Sequence, residues 1–371
     1  MLPDAVRTMK NHAFAALWAT TCASAFLAIP AVSGAKEPPP PLKEYPTLGE
    51  IERLDPALDE LIAPDAKIEK LAGGFDWAEG PVWDRKQGVL YFSDVPRNVV
   101  FVWKEGVGTR DYVFPSGYTG ARRREGADRE QGSNGLALDS LGRLVLCQHG
   151  DRRVARLEPG KGFVTLAEYW KHLRFNSPND LAYAANGDLY FTDPTYGLPR
   201  DPDDSNRLLE QELLFSGLYL LRRSGEVVLL TRELSFPNGV ALSPEGKSLY
   251  VAVSDPAKPV IMSYPVRPDG KLDPGSVFFD AKSLMSGRKG LPDGLKVDRQ
   301  GNIFSTGPGG VLVISPLGKL LGIINTGEAT ANCGWGEADG TTLYITADMY
   351  LCRVKTLTQG TGNWPKLKKK K

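Results

Sequence analysis

The chain has 371 residues, 42% of them hydrophobic, and a formal net charge of +1. That length suits one large domain or two average ones with a sizeable core. The balanced charge gives no electrostatic footing for nucleic acid or a membrane surface. Four cysteines and three histidines, without Cys/His ligand spacing, speak against a zinc site of the usual kind.

Arg7 and Lys10 precede an apolar stretch over residues 13–32 that ends in Ser33-Gly34-Ala35. This is the pattern of a secretory signal peptide, expected over residues 1–35. An uncleaved membrane anchor is the weaker alternative, because Thr20, Thr21, Cys22 and Ser24 dilute the apolar run. Cys22 is not read as a lipid attachment site, since Ala19 stands where such sites usually carry Leu. Residues 36–48 read as a Pro-rich linker. The mature protein is therefore expected to be exported, periplasmic or secreted, with no membrane contact beyond the signal peptide. Export leaves Cys147, Cys333 and Cys352, an odd number and no disulfide scaffold. Cys147 sits in an apolar run and reads as a buried thiol. Cys333 and Cys352 fall in one repeat and are open to pairing.

From residue 49 to residue 360 the chain is repetitive. A polar-plus-Gly signature opens a strand-like run at Glu79-Gly80-Pro81, Asn134-Gly135, Asn179-Asp180, Asn238-Gly239 and Asp293-Gly294, with a weaker sixth at Asn332-Cys333-Gly334. Successive signatures lie 39 to 59 residues apart. After each comes a short strand, a Gly-containing turn and a second strand rich in aromatic and β-branched residues, as in Leu181-Ala182-Tyr183, Asn186-Gly187-Asp188 and Leu189-Tyr190-Phe191-Thr192. Short helical pieces are expected only around residues 55–62 and 208–213. An irregular period of this size with short strands predicts an all-β, six-bladed β-propeller. The last repeat is short, so residues 67–71 are expected to close its blade as the outer strand and remove the exposed edge. A β-sandwich pair explains the recurring signature less well. Arg122-Arg123-Arg124 and a basic tail over residues 361–371 read as solvated segments.

A propeller brings the same position of every blade to one axis. Glu79, Asn134, Asn179, Asn238 and Asp293 would then ring one tunnel mouth, and their oxygen donors suit a hard cation such as Ca²⁺, with Mg²⁺, Mn²⁺ or Zn²⁺ as alternatives. Taken singly, Asn-Gly and Asp-Gly are common turn dipeptides. Five in phase, with Glu in the first, favour a site. The second strands end in Asp94, His149, Asp193, Asp255 and Asp348, which cap loops or surround the ring.

These motifs, Glu79-Gly80-Pro81-Val82-Trp83, Asn134-Gly135-Leu136, Ser177-Pro178-Asn179-Asp180, Phe236-Pro237-Asn238-Gly239 and Pro292-Asp293-Gly294, together resemble the SMP-30/gluconolactonase/LRE family. The likeness runs from about residue 67 to residue 355. Gln148-His149-Gly150-Asp151-Arg152-Arg153-Val154 and Phe191-Thr192-Asp193-Pro194-Thr195-Tyr196-Gly197 resemble its bacterial gluconolactonase branch. The resemblance implies a divalent metal, usually Ca²⁺, held by Glu79, Asn238 and Asp293, with Asn179 contacting metal or substrate. Asn134 matches no ligand of the family; it is taken as a substrate contact, with a turn as the alternative, and Asn332 reads as a turn.

The activity implied is hydrolysis of a sugar lactone. Asp293 is the first candidate for the base that activates water. Metal ligation would lower its basicity, so Asp193 and His149 are the other candidates, His149 having an ordinary pKa of about 6.5. No G-x-S-x-G elbow supports a serine triad. Arg152, Tyr196, Tyr118 and Thr119 are candidate contacts to sugar hydroxyls. A calcium-dependent aryl esterase or phosphotriesterase and a non-enzymatic exported binding module are the alternative functions.

Overall fold

Six antiparallel blade sheets, five of four strands and one of five, follow one another along the chain in the computed structural model, which describes residues 44–120, 130–204 and 206–362. The expected signal peptide, most of the Pro-rich linker, Arg122-Arg123-Arg124 and nearly all of the basic tail lie outside the described residues. Blades 1 to 5 begin with inner strands at Ala78–Asp84, Ser133–Leu138, Leu181–Tyr183, Pro237–Leu242 and Leu295–Val297. Blade 6 begins with Thr330–Gly336, and Ile68–Gly73 closes it by pairing with Tyr350–Lys355. The expected closure by the N-terminal segment is therefore observed.

One feature of this closure has no counterpart in the repeat pattern. A further N-terminal strand, Glu50–Arg53, pairs with Leu320–Asn325 and makes blade 5 five-stranded. The chain then turns through a short 3-10 helix, Pro56–Glu60, where Asp55 accepts a hydrogen bond from the Ala57 N–H at 2.9 Å and Pro56 takes the first helical position. Residues 208–213, the second expected helical piece, are not helical. Glu210 has a φ of +60°, which a right-handed helix does not allow.

Alternation along the strands buries their faces between neighbouring blades. Leu58, Ile62, Ile68, Phe304, Trp335 and Ile345 share one such layer between blades 5 and 6. Trp83 of blade 1 stacks on Tyr344 of blade 6 at 5.4 Å between centroids. All three described cysteines are free and buried. Cys333 and Cys352 lie on the first and third strands of blade 6, both beside Ile345 of the strand between them. Two strand spacings, about 9–10 Å, exceed the reach of a disulfide, so they do not pair.

The inner strands meet at the axis through glycine. A Cβ on Gly80 would stand 2.3 Å from Asn134 O, on Gly135 2.6 Å from Asn179 O, and on Gly239 2.2 Å from Asp293 O. A Cβ on Gly294 would meet the Asn332 side chain at 2.0 Å, and one on Gly334 would meet Pro81 O at 2.4 Å. Each contact joins one blade to the next. The signature glycines thus serve close approach rather than hairpin turns. Register shifts fall at the signatures of blades 1, 2, 4 and 6, between Glu79 and Val82, Ser133 and Leu136, Pro237 and Val240, and Thr330 and Asn332. Such bulges re-aim side chains at a sheet margin.

Ile68 is almost wholly buried in the closing strand. Replacing it with Ala should cost about 2–5 kcal/mol in urea unfolding, the usual cost of truncating a buried Ile.

Candidate active site

The ring of signature residues opens onto a cavity of about 610 Å³ lined by Glu79, Asn134, Asn179, Asn238 and Asp293. All five were expected at this mouth, and the structure brings all five together. Tyr196 also reaches the cavity, stacked on Phe236 with 5.8 Å between ring centroids.

Each ring residue is held from behind. Glu79 Oε2 accepts from its neighbour Gly80 N at 2.9 Å and from Asn332 Nδ2 at 3.1 Å. Asn332, read from sequence as a turn, is buried and fixes a carboxylate 253 positions away. Asn238 Nδ2 donates to Ser254 Oγ at 3.0 Å, and that hydroxyl donates to Pro292 O at 2.6 Å, tying blade 4 to the residue before Asp293. Similar hydroxyl bridges cross from Ser93 to Asn134 O at 2.8 Å and from Thr192 to Asn238 O at 2.7 Å.

The second-strand residues sort into two kinds. Asp193 is fully buried, and its two carboxylate oxygens accept from Asn176 N at 2.9 Å and Ser177 N at 2.8 Å. Asp94 repeats this arrangement in blade 1, accepting from Asp76 N at 3.0 Å and Trp77 N at 3.4 Å. Each clamps the loop that delivers a ring residue, Asn179 or Glu79. Burial pushes the Asp193 carboxyl up to about 8, against the pull of these N–H donors and of Arg152. Asp193 does not line the cavity. By contrast, Asp255 accepts from Ser235 at the exposed rim, and Asp348 is partly exposed.

His149 is also buried behind the ring rather than on the cavity wall. Its Nδ1 lies 3.2 Å from Glu130 O, and its Nε2 lies 3.5 Å from Asn179 Nδ2. Burial pushes its imidazole down to about 4, which keeps it neutral at ordinary pH. Arg152 is buried away from the cavity, donating from Nε to Phe175 O at 2.7 Å and facing Glu212 at 3.5 Å. Tyr118 and Thr119 line a separate surface pocket beside Asp151.

Glu130 had no signal in the sequence. It belongs to no repeat signature and sits just after an Arg-rich stretch, yet it lines the cavity. Burial pushes its carboxyl up to about 7. Burial and the neighbouring acidic groups also raise the Glu79 and Asp293 carboxyls above the ordinary range. The Tyr196 phenol is pushed upward by burial and by Asp293, so it remains a donor.

This charge pattern tests whether the residues fit a cation. Among the described residues no group of three His, Cys, Asp or Glu side chains clusters as a ready-made site. The ring instead mixes two carboxylates with carboxamides. Asn134 Oδ1, Asn179 Oδ1 and Asp293 Oδ1 are buried and have no hydrogen-bond partner. Three orphaned oxygens next to crowded carboxylates are costly. A hard cation would take up the Asn179 and Asp293 oxygens and offset the carboxylates, so the donor set fits one.

Residues 77–348 match the SMP-30/gluconolactonase/LRE-like family over most of the chain. The chain belongs to that family. It is similar to a gluconolactonase of Zymomonas mobilis, with 37% identity over 319 residues covering 85% of this chain and 88% of that one. Among solved structures, a Xanthomonas campestris gluconolactonase superposes with a TM-score of 0.71 at 30% identity, covering 85% of this chain and 98% of that chain. A regucalcin of Agrobacterium tumefaciens, described as calcium-binding, shares the fold with a TM-score of 0.60 at 18% identity, covering 79% of this chain and 96% of that one.

Replacing Asp193 with Asn removes the acceptor for one buried N–H of the Asn176–Ser177 loop. Urea unfolding should show a loss of about 1–3 kcal/mol, the range for orphaning a buried donor.

Proposed function

We propose that this family member, a lactone-hydrolysing enzyme, opens sugar lactones such as gluconolactone to the aldonic acid with the help of a divalent cation, calcium, at the axial ring. The observation that carries this is the set of orphaned ring oxygens facing the cavity. The 37% identical gluconolactonase supports the reaction class. The choice of calcium rests on a donor set made only of oxygen. Its site of action is outside the cytoplasm, after removal of the N-terminal segment.

Glu79, Asn179, Asn238 and Asp293 would hold the ion. When bound, it polarises the lactone carbonyl and stabilises the developing oxyanion. The protein does the rest. Asn134 and the Tyr196 phenol hydrogen-bond substrate hydroxyls, and the faces of Trp77 and Tyr196 pack against the sugar's C–H groups. Water adds to the carbonyl carbon and gives up a proton to a carboxylate. The ring C–O bond then breaks, and the departing oxygen takes a proton to give the hydroxy acid.

Three carboxylates line the cavity, Glu79, Glu130 and Asp293; with Glu79 given to the ion, Asp293 and Glu130 are the candidates for the base. Ligation would weaken Asp293 as a base, whereas Glu130 stands outside the ligand set with its carboxyl raised to about 7. Glu130 is therefore the favoured acceptor. Asp193 and His149 act from behind the wall, on the loop and the amide of Asn179.

Asp293→Ala should lower lactone kcat/KM by at least about 10³-fold, the scale of a lost Lewis acid. Chelation of the wild type should do the same, and calcium should restore activity. Chelator-insensitive turnover of sugar lactones would refute the metal reading. A panel that favours aryl esters or phosphotriesters over lactones would replace the substrate class.

The pH profile tests the base. Glu130 works deprotonated, so kcat/KM corrected for spontaneous hydrolysis should rise with pH as its raised carboxyl ionises. Glu130→Gln should flatten that limb and lower the plateau by about 10²-fold or more.

A further inference from the structure

The strand that the N-terminus adds to blade 5 also shapes the cavity wall. Glu52, on Glu50–Arg53, accepts two parallel hydrogen bonds from Arg288, Nη1 to Oε1 at 2.8 Å and Nη2 to Oε2 at 2.7 Å. Asn325 Nδ2 adds a third at 3.1 Å. Arg288 lines the cavity, and it is the one cationic side chain among the described residues that do. It is packed over Gly309, where a Cβ would come within 2.6 Å of Nη1. The pair is substantially withdrawn from water, with 31% of the Arg288 side chain and 18% of the Glu52 side chain exposed.

Left alone, a guanidinium at a substrate cavity is a strong, bidentate site for phosphate or carboxylate. Here that fork is already occupied. End-on pairing uses two of five N–H donors and cancels the charge, leaving three donors without a net cation. Glu130, which stands outside the ligand set, is the other charged side chain left on the cavity wall, and it disfavours an anionic substrate further.

We propose that Glu52 sets the charge class of the substrate: by neutralising Arg288 it makes the cavity select uncharged, polyhydroxylated lactones, with the remaining Arg288 donors binding a substrate hydroxyl. This rests on the lactone-hydrolase reading and adds to it a specificity residue that lies outside every repeat, 236 positions from its partner. Glu52 is a positioning residue, acting through Arg288. The mutual pairing also holds the Glu52 carboxyl below its usual range and keeps it ionised.

The test compares kcat/KM for an uncharged hexono-1,5-lactone and for the same lactone phosphorylated on its terminal carbon, with spontaneous hydrolysis subtracted. Glu52→Gln keeps the shape and unmasks the cation, so the ratio should move toward the phosphorylated lactone by about tenfold or more. Arg288→Met should raise KM for the uncharged lactone by about tenfold with a smaller change in kcat, and the double variant should lose the shift. An unmoved ratio in a Glu52→Gln protein with wild-type circular dichroism overturns the proposal. So does an unchanged KM in Arg288→Met, which carries the test by itself if Glu52→Gln does not fold. A wild-type protein that opens neither lactone refutes the hydrolase reading itself; turnover with an unmoved ratio refutes only the role of Glu52.

Discussion

The structure depends on how closely the inner strands approach one another around the axis. Gly135 N donates to Asn179 O at 2.7 Å and Gly239 N to Asp293 O at 3.2 Å, so in blades 2 and 4 the residue after the ring member touches the next ring member's backbone. A methyl group at any of these glycines would collide with that backbone. The contact sets the width of the tunnel mouth. It therefore sets how near the carboxylates and carboxamides of different blades come to each other.

That closeness explains the electrostatics. Glu79 and Asp293 are driven together by the backbone, and both are held above their usual pKa range by burial first and by neighbouring charge second. Such a ring is unfavourable when empty of positive charge, and the fold contributes order rather than relief. Asp94 and Asp193 clamp incoming loops, while Ser93, Thr192 and Ser254 bridge blade to blade. The stability of the blades holds a locally strained charge arrangement in place, as sites that bind metal or substrate commonly require. Asp180 breaks the glycine pattern among the five ring signatures. It follows Asn179 where the other four carry Gly, and its Oδ2 lies 3.9 Å from Lys296 Nζ.

Much of this was legible in the sequence because it is periodic. The signatures recur in phase, and each hairpin shows alternating residues and a Gly turn within about fifteen positions. The closing strand was legible too, since a short last repeat demands one. The turn reading failed for Asn332, whose buried side chain grips Glu79, and the glycines of the Asn-Gly pairs answer to a backbone in the next blade rather than to a turn. The expected helical piece near residue 210 failed on a single left-handed residue. Pairing of Cys333 with Cys352 failed on strand order, since one intervening strand places them out of reach. His149 and Asp193 were rightly placed near the ring, but the strand ends that carry them lie one layer behind it.

What the sequence determined by itself was the repeat, and with it the all-β propeller, the closing strand and the five residues that face the axis. These follow from local alternation and from the rule that equivalent blade positions converge. What only the tertiary structure decided was everything that joins residues from unrelated phases of the chain. Glu130 on the cavity wall and Glu52 paired with Arg288 belong to no repeat signature, and Asn332 gripping Glu79 joins the last signature to the first. Their partners are brought together by ring closure, which a linear pattern does not encode. Charge balance and solvent exclusion at the site depend on those contacts, so its selectivity was settled in three dimensions.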